Sequence, residues 1–225
     1  MTDSTAITTD TYNLIAEMYA EKYFDDVSDF KRITSFFQDI PKNGSVLEVG
    51  CGAGQFVKYL LSCGFLVTGV DLSESMLTLA HKKVPEGKFQ LMDMRFLTFD
   101  DNQFDAVLAA YSLIHIPTAE IVSTLKGFYR VLKPGGKLCI IAQRGAPDHF
   151  VDESLAPGKR VFFNFFTSDK IRTFLEVSGF INISIDTVTT DDSYTMSDAL
   201  LYVYASKRSD TLTRHDNSTN LHIYG

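Results

Sequence analysis

Apolar and polar positions along this chain change rhythm several times, and the changes predict its elements. Over residues 10–24, Leu14, Ile15, Met18, Tyr19 and Phe24 recur at helical spacing. A second short helix is expected over residues 29–38, with Phe30, Ile33, Phe36 and Phe37 as its apolar stripe, followed by a turn at Pro41-Lys42-Asn43-Gly44. Short apolar runs then alternate with amphipathic stretches. Strands are expected at residues 45–49, 65–70, 88–92, 104–110 and 137–142. Between them lie helices at residues 55–62, at 73–83 behind a Ser73 cap, and from Pro117 to about residue 132. The strand runs are almost continuously apolar, as strands covered on both faces require. Strand–helix alternation of this kind builds a parallel sheet with helices on both sides.

The rhythm changes after residue 142. Residues 143–166 form a long irregular stretch containing Arg144, His149, Glu153 and the cluster Phe162-Phe163-Asn164-Phe165-Phe166. A helix capped by Thr167 or Ser168 runs to Val177. Two further apolar runs follow, at residues 180–187 and 200–205, with no room for a crossover helix between them, so an antiparallel pair is expected. The predicted fold class is α/β: a Rossmann-like, doubly wound, seven-stranded sheet, mostly parallel, with an antiparallel C-terminal pair and helices on both faces. Residues 209–225 read as a polar tail.

The candidate chemistry sits where the first strand runs into Gly50-Cys51-Gly52-Ala53-Gly54. Gly50 and Gly52 allow backbone conformations and close approaches that a Cβ would block. The loop lies at the carboxyl end of a strand, where open α/β sheets bind ligands. Asp71 ends the next strand, and a carboxylate there can accept hydrogen bonds from both hydroxyls of a ribose. These features describe a nucleoside site. The dinucleotide pattern Gly-x-Gly-x-x-Gly is not met, because Gln55 occupies its last position. A nicotinamide-dependent oxidoreductase is disfavoured for that reason.

The segment Glu48-Val49-Gly50-Cys51-Gly52-Ala53-Gly54 resembles the first motif of class I S-adenosylmethionine-dependent methyltransferases. Asp71-Leu72-Ser73, Asp93-Met94, Phe104-Asp105-Ala106-Val107 and Leu132-Lys133-Pro134-Gly135-Gly136 resemble the family's later motifs, in order. The resemblance covers residues 45–142 and extends to the C-terminal strand pair. It implies S-adenosyl-L-methionine as methyl donor and S-adenosyl-L-homocysteine as product. It also implies roles. Gly50 and Gly52 would admit the methionine portion, Asp71 would hold the ribose, and Leu72 and Met76 would flank adenine. Asp93 would accept from the adenine amino group, and the Met94 amide would meet the ring. Ala109 and Tyr111 would line the sulfonium end. Glu48 would contact the loop or the donor's ammonium group. The N-terminal helix, with Tyr12, Tyr19 and Tyr23, would form a lid from which a tyrosine such as Tyr19 reaches the donor. His115 and Tyr111 are the catalytic candidates, with His115 able to take a proton from an acceptor.

On this reading residues 1–208 form one methyltransferase domain, divided into a helical lid (1–40), a donor-binding core (45–142) and an acceptor side (143–208). The expected acceptor is a small molecule; a protein side chain, or donor binding without catalysis, are the alternatives. Composition adds exclusions. Net charge is −7 with no basic stripe, so no nucleic-acid partner is expected. No apolar run reaches membrane-span length and the N-terminus carries no secretory pattern, so a cytoplasmic location is expected. Cys51, Cys63 and Cys139 are an odd set without a Cys-x-x-Cys pair, expected as buried free thiols, and no metal site is expected.

Overall fold

The computed structural model describes residues 3–189 and 197–209. The expected tail therefore lies almost wholly outside the described residues. Helices α1 (Asp3–Tyr23) and α2 (Phe30–Phe37) precede the alternating core. That core is β1 (Ser45–Val49), α3 (Gln55–Ser62), β2 (Leu66–Asp71), α4 (Glu74–Lys83), β3 (Lys88–Leu91), β4 (Phe104–Ala110), α5 (Ile121–Val131) and β5 (Leu132–Gln143). There follow β6 (His149–Asp152), β7 (Arg160–Phe163), α6 (Ser168–Val177), β8 (Ile181–Thr189) and β9 (Ala199–Ser206).

Seven strands form one sheet in the order β3-β2-β1-β4-β5-β9-β8. Strands β1 to β5 pair in parallel, and β9 runs antiparallel to both β5 and β8. Helices α5 and α6 supply Leu125, Phe128, Ile171 and Leu175 to the core on one face. On the other face α2, α3 and α4 supply Ile33, Val57, Leu60 and Leu77. The strand order reverses between β1 and β4, so the loops after these strands diverge and leave a crevice at the carboxyl edge.

Several local expectations change. Helix α1 begins seven residues before the expected start at Asp10. Its first turns are rich in threonine, a β-branched residue of modest helix propensity. Tertiary bonds secure them instead: the Phe162 amide donates to the Thr8 hydroxyl at 3.1 Å, and the Thr11 hydroxyl donates to the Arg160 carbonyl at 3.0 Å. The irregular stretch after β5 contains a hairpin, β6–β7, in antiparallel register from His149↔Phe163 to Asp152↔Arg160. Strand β5 starts five residues early, and Pro134-Gly135-Gly136 sits in the register shift between Phe104↔Leu132 and Ala106↔Lys137. Cys51 and Cys139 are buried free thiols, but Cys63 is exposed, because it closes α3 at its solvent end.

Candidate active site

The loop between β1 and α3 is held from three sides. The Val70 carbonyl of β2 accepts from the Gly50 and Cys51 amides at 2.7 and 3.0 Å. The Gly52 amide donates to Asp71 Oδ2 at 2.8 Å. The Ser112 hydroxyl, from the turn after β4, donates to the Val49 carbonyl at 2.6 Å. Gly50 has φ +69°, and a Cβ there would lie 2.3 Å from that of Ser112. Gly52 has φ +51° but faces open space: a Cβ there would meet no atom within 4 Å. One glycine is thus demanded by the protein's own packing, and the other fronts open space.

That space belongs to a cavity of about 790 Å³ including its mouth. Gly50, Gly52, Asp71, Leu72, Met76, Asp93, Met94, Tyr111, His115 and Tyr19 all line it, so ten of the sequence-selected positions converge there. Two do not. Ala109 is a correction: strand alternation turns its side chain into the core on the α5–α6 face, and Ala110, one residue on, lines the cavity. Glu48 is the other. It is 1% exposed and accepts from the Val57 amide near the start of α3, with Oε2 unpaired among the described residues. Burial, then the nearby Asp71 charge, push its carboxyl well above the usual range.

Asp71 anchors the floor. Its two oxygens accept from the Gly52 and Ser73 amides, both at 2.8 Å, and the Leu72 amide also acts on the carboxylate. Burial raises its pKa while these amides pull it down. Asp93 lines the cavity with protein partners of its own. Arg95, which the sequence reading passed over, grips both its oxygens with Nε at 3.0 Å and Nη2 at 2.6 Å, and also pairs with Glu120 at 2.7 Å. Arg95 therefore fixes the orientation in which Asp93 meets the cavity.

The N-terminal helix closes the opposite wall. Thr5, Thr8, Thr9, Tyr12 and Tyr19 of α1 line the cavity. Placing the helix start at Asp10 left Thr5, Thr8 and Thr9 out of the expected site. Asn13 Oδ1 ties α1 to α4, accepting from the Ser73 hydroxyl at 2.7 Å and the Ser75 amide at 3.2 Å. Tyr12 meets Tyr19 edge-on, with ring centroids 5.7 Å apart.

The two catalytic candidates are already engaged. His115 Nδ1 lies 2.9 Å from the Phe162 carbonyl, which can only accept, so the proton sits on Nδ1. Nε2 is then an acceptor, and the Tyr12 hydroxyl donates to it at 3.1 Å. Burial lowers the His115 pKa to about 4, which keeps the ring neutral. Tyr12 and His115 thus reach the cavity as a hydrogen-bonded pair, with both ring nitrogens of His115 already engaged. The Tyr111 hydroxyl donates to Asp29 Oδ2 at 2.9 Å, and burial followed by the Asp29 charge raises its pKa. Tyr111 offers the cavity a wall rather than a proton acceptor.

Sheet order, glycine loop and the acid ending β2 together define the class I methyltransferase architecture. Residues 46–136 match the methyltransferase domain family. Among curated relatives, a ubiquinone biosynthesis O-methyltransferase of Coxiella burnetii (strain RSA 493 / Nine Mile phase I) is 36% identical over 101 residues, 43% of this chain and 42% of that protein. The chain thus spans about two fifths of the length of these curated relatives. A methyltransferase structure from Methanosarcina mazei shares the fold at TM-score 0.71 and 18% identity, over 80% of this chain and 98% of the other. A 1,6-didemethyltoxoflavin-N1-methyltransferase of Burkholderia thailandensis does so at TM-score 0.71 and 18% identity, over 91% of this chain and 89% of the other.

Proposed function

We propose that the chain is an S-adenosylmethionine-dependent methyltransferase that acts on a small-molecule acceptor, with the donor held in the cavity beneath α1. The observation that carries this is the open space over Gly52 directly beside the Asp71 carboxylate, at the edge where the strand order reverses. The donor supplies a methyl group already activated on a sulfonium sulfur. The chain's own task is then to align the partners and exclude water, which can supply about 7–11 kcal/mol of the barrier without an acid or base.

Each residue has a part in that task. Asp71 accepts from the ribose hydroxyls while its amide bonds hold it still. Leu72, Met76 and Met94 offer apolar walls to adenine, and Asp93, oriented by Arg95, accepts from its amino group. Glu48 stays beneath the loop and stiffens its junction with α3. Tyr19 and Tyr12 cover the site from above. The domain division that follows is a lid over residues 1–40, a donor core over 45–142 and an acceptor side over 143–208. A cavity roofed by a helix suits a small acceptor better than a protein side chain. Among the described residues no helix is long and apolar enough to cross a membrane.

The test is ultraviolet cross-linking of methyl-tritiated S-adenosylmethionine to the purified chain, competed with S-adenosylhomocysteine. Labelling is expected for the native chain and a loss of at least about tenfold for Asp71→Ala, the share of one charge-assisted bond. Equal labelling of both proteins would remove Asp71 from the site.

A further inference from the structure

A second cavity shares a wall with the first. Tyr12, Tyr19 and Tyr111 line both. The two tyrosines of α1 also feel the charges of Asp71 on one side and Glu153 on the other. The far side of this second cavity is built from the loop before α2, the end of β5 and the segment between β6 and β7. These bring in Asp26, Asp29, Gln143 and Glu153.

Its chemistry is one-sided. Three carboxylates line it, and none of the described lining residues is a lysine, arginine or histidine. Asp29 is locked in place by the Tyr111 and Tyr202 hydroxyls, which donate to its two oxygens at 2.9 and 2.5 Å. Glu153 is steadied by the Leu155 amide at 2.8 Å. Gln143 is 9% exposed, and its amide oxygen has no hydrogen-bond partner among the described residues. A buried amide left unpaired is costly unless a ligand supplies the bond. The remaining walls are aromatic: Tyr19 and Tyr23 lie 4.7 Å apart by ring centroids, with Tyr12 edge-on to Tyr19. Ring faces beside carboxylates attract a cation, and Lys22 Nζ already lies over the Tyr23 ring at 5.0 Å; the Arg32 charge that acts on Asp29 lies outside the lining, so an anionic ligand would face three carboxylates.

We propose that this second cavity receives the methyl acceptor, and that the acceptor is a small amine with a planar apolar body and no anionic group, methylated on nitrogen. The proposal rests on the donor assignment above. The amine enters protonated, gives one proton to Glu153 and thence to water, and presents its lone pair to the donor's methyl group where the two cavities adjoin, between Tyr12, Tyr19 and Tyr111. The new N–C bond forms as the C–S bond of the donor breaks, and the bonding pair stays on sulfur. The product leaves as a methylammonium ion, so one proton is released per turnover.

Titration calorimetry on the full chain saturated with S-adenosylhomocysteine tests this, with tyramine against 4-hydroxyphenylacetate and benzylamine against benzoate. Each amine is expected to bind at least about tenfold tighter than its matched acid, the share of one desolvated charge contact. Glu153→Gln should erase most of that preference and leave S-adenosylhomocysteine affinity within about twofold of native. Acids that bind as tightly as amines, or a preference unchanged in the Glu153→Gln chain, overturn the proposal while leaving the donor site intact. Failure of S-adenosylhomocysteine itself to bind overturns the donor assignment and this proposal with it.

Discussion

Gly50 and Gly52 share a motif but answer to different demands. At Gly50 a methyl group would collide with the Ser112 Cβ at 2.3 Å, on a backbone already at positive φ. Gly50→Ala should therefore cost about 3 kcal/mol of folding stability, from overpacking plus left-handed strain. Gly52→Ala meets no protein atom, so chemical denaturation should show only about 1 kcal/mol. Its larger effect should be a loss of donor affinity of about tenfold or more, because the methyl projects into the space assigned to the donor. Similar stability losses in both variants would mean that Gly52 is kept for the turn alone. His115 and Tyr12 form the other informative pair. His115→Ala should lower turnover on the true acceptor by at least about tenfold with donor affinity unchanged within about twofold, since it removes the group that orients the Tyr12 hydroxyl. Unaltered turnover would return His115 to a purely structural position between Tyr12 and Phe162.

Among the elements, α1 links folding to the site. It is bonded to β7 through Thr8 and Thr11 and to the start of α4 through Asn13, and it carries one wall of the cavity beside Gly52 and Asp71. Ligand binding should tighten it. Hydrogen exchange of the α1 amides around Thr5 to Tyr12 should slow by at least about tenfold when S-adenosylhomocysteine is added. Exchange unaffected by ligand would show that the helix is a fixed wall and not a cover. The strands and helices of the core were legible because their periodicities agree with their burial: β4 was placed at residues 104–110 and found there, and Ser73 caps α4 by accepting from the Met76 amide at 3.1 Å. The start of α1 was not legible, because threonines that bond to a distant hairpin carry no local helical signal. The β6–β7 hairpin was missed for the same reason. Its residues alternate only weakly, and its register is set by contact with α1 and the turn around His115. Within the site, glycine and Asp71 positions could be read from the motif, whereas the grip of Arg95 on Asp93 and the inward turn of Ala109 depend on side-chain direction in three dimensions.

Across the whole molecule, burying Glu48 at the centre of the sheet ties stability to pH. Its carboxyl is held well above 4.5 in the folded chain, chiefly by burial. Above that value the unfolded chain has released the proton and the folded chain has kept it, so the native state binds more protons and stability falls as pH rises. Glu48→Gln keeps the shape and removes the titration. The stability of Glu48→Gln relative to native should climb from pH 5 to pH 7, by up to about 1.4 kcal/mol per pH unit, the limit for one proton. The His115 contribution is common to both proteins and cancels in the difference. A difference that stays flat with pH would mean that Glu48 is ionised in the fold.

Calorimetric titration with S-adenosylmethionine, S-adenosylhomocysteine and NAD in parallel tests the donor site most directly. Binding of both sulfur ligands at roughly micromolar Kd, weakened at least about tenfold by Asp71→Ala, with no heat from NAD, is the predicted result. No binding of either sulfur ligand to the folded chain would contradict the assignment of the cavity beneath α1.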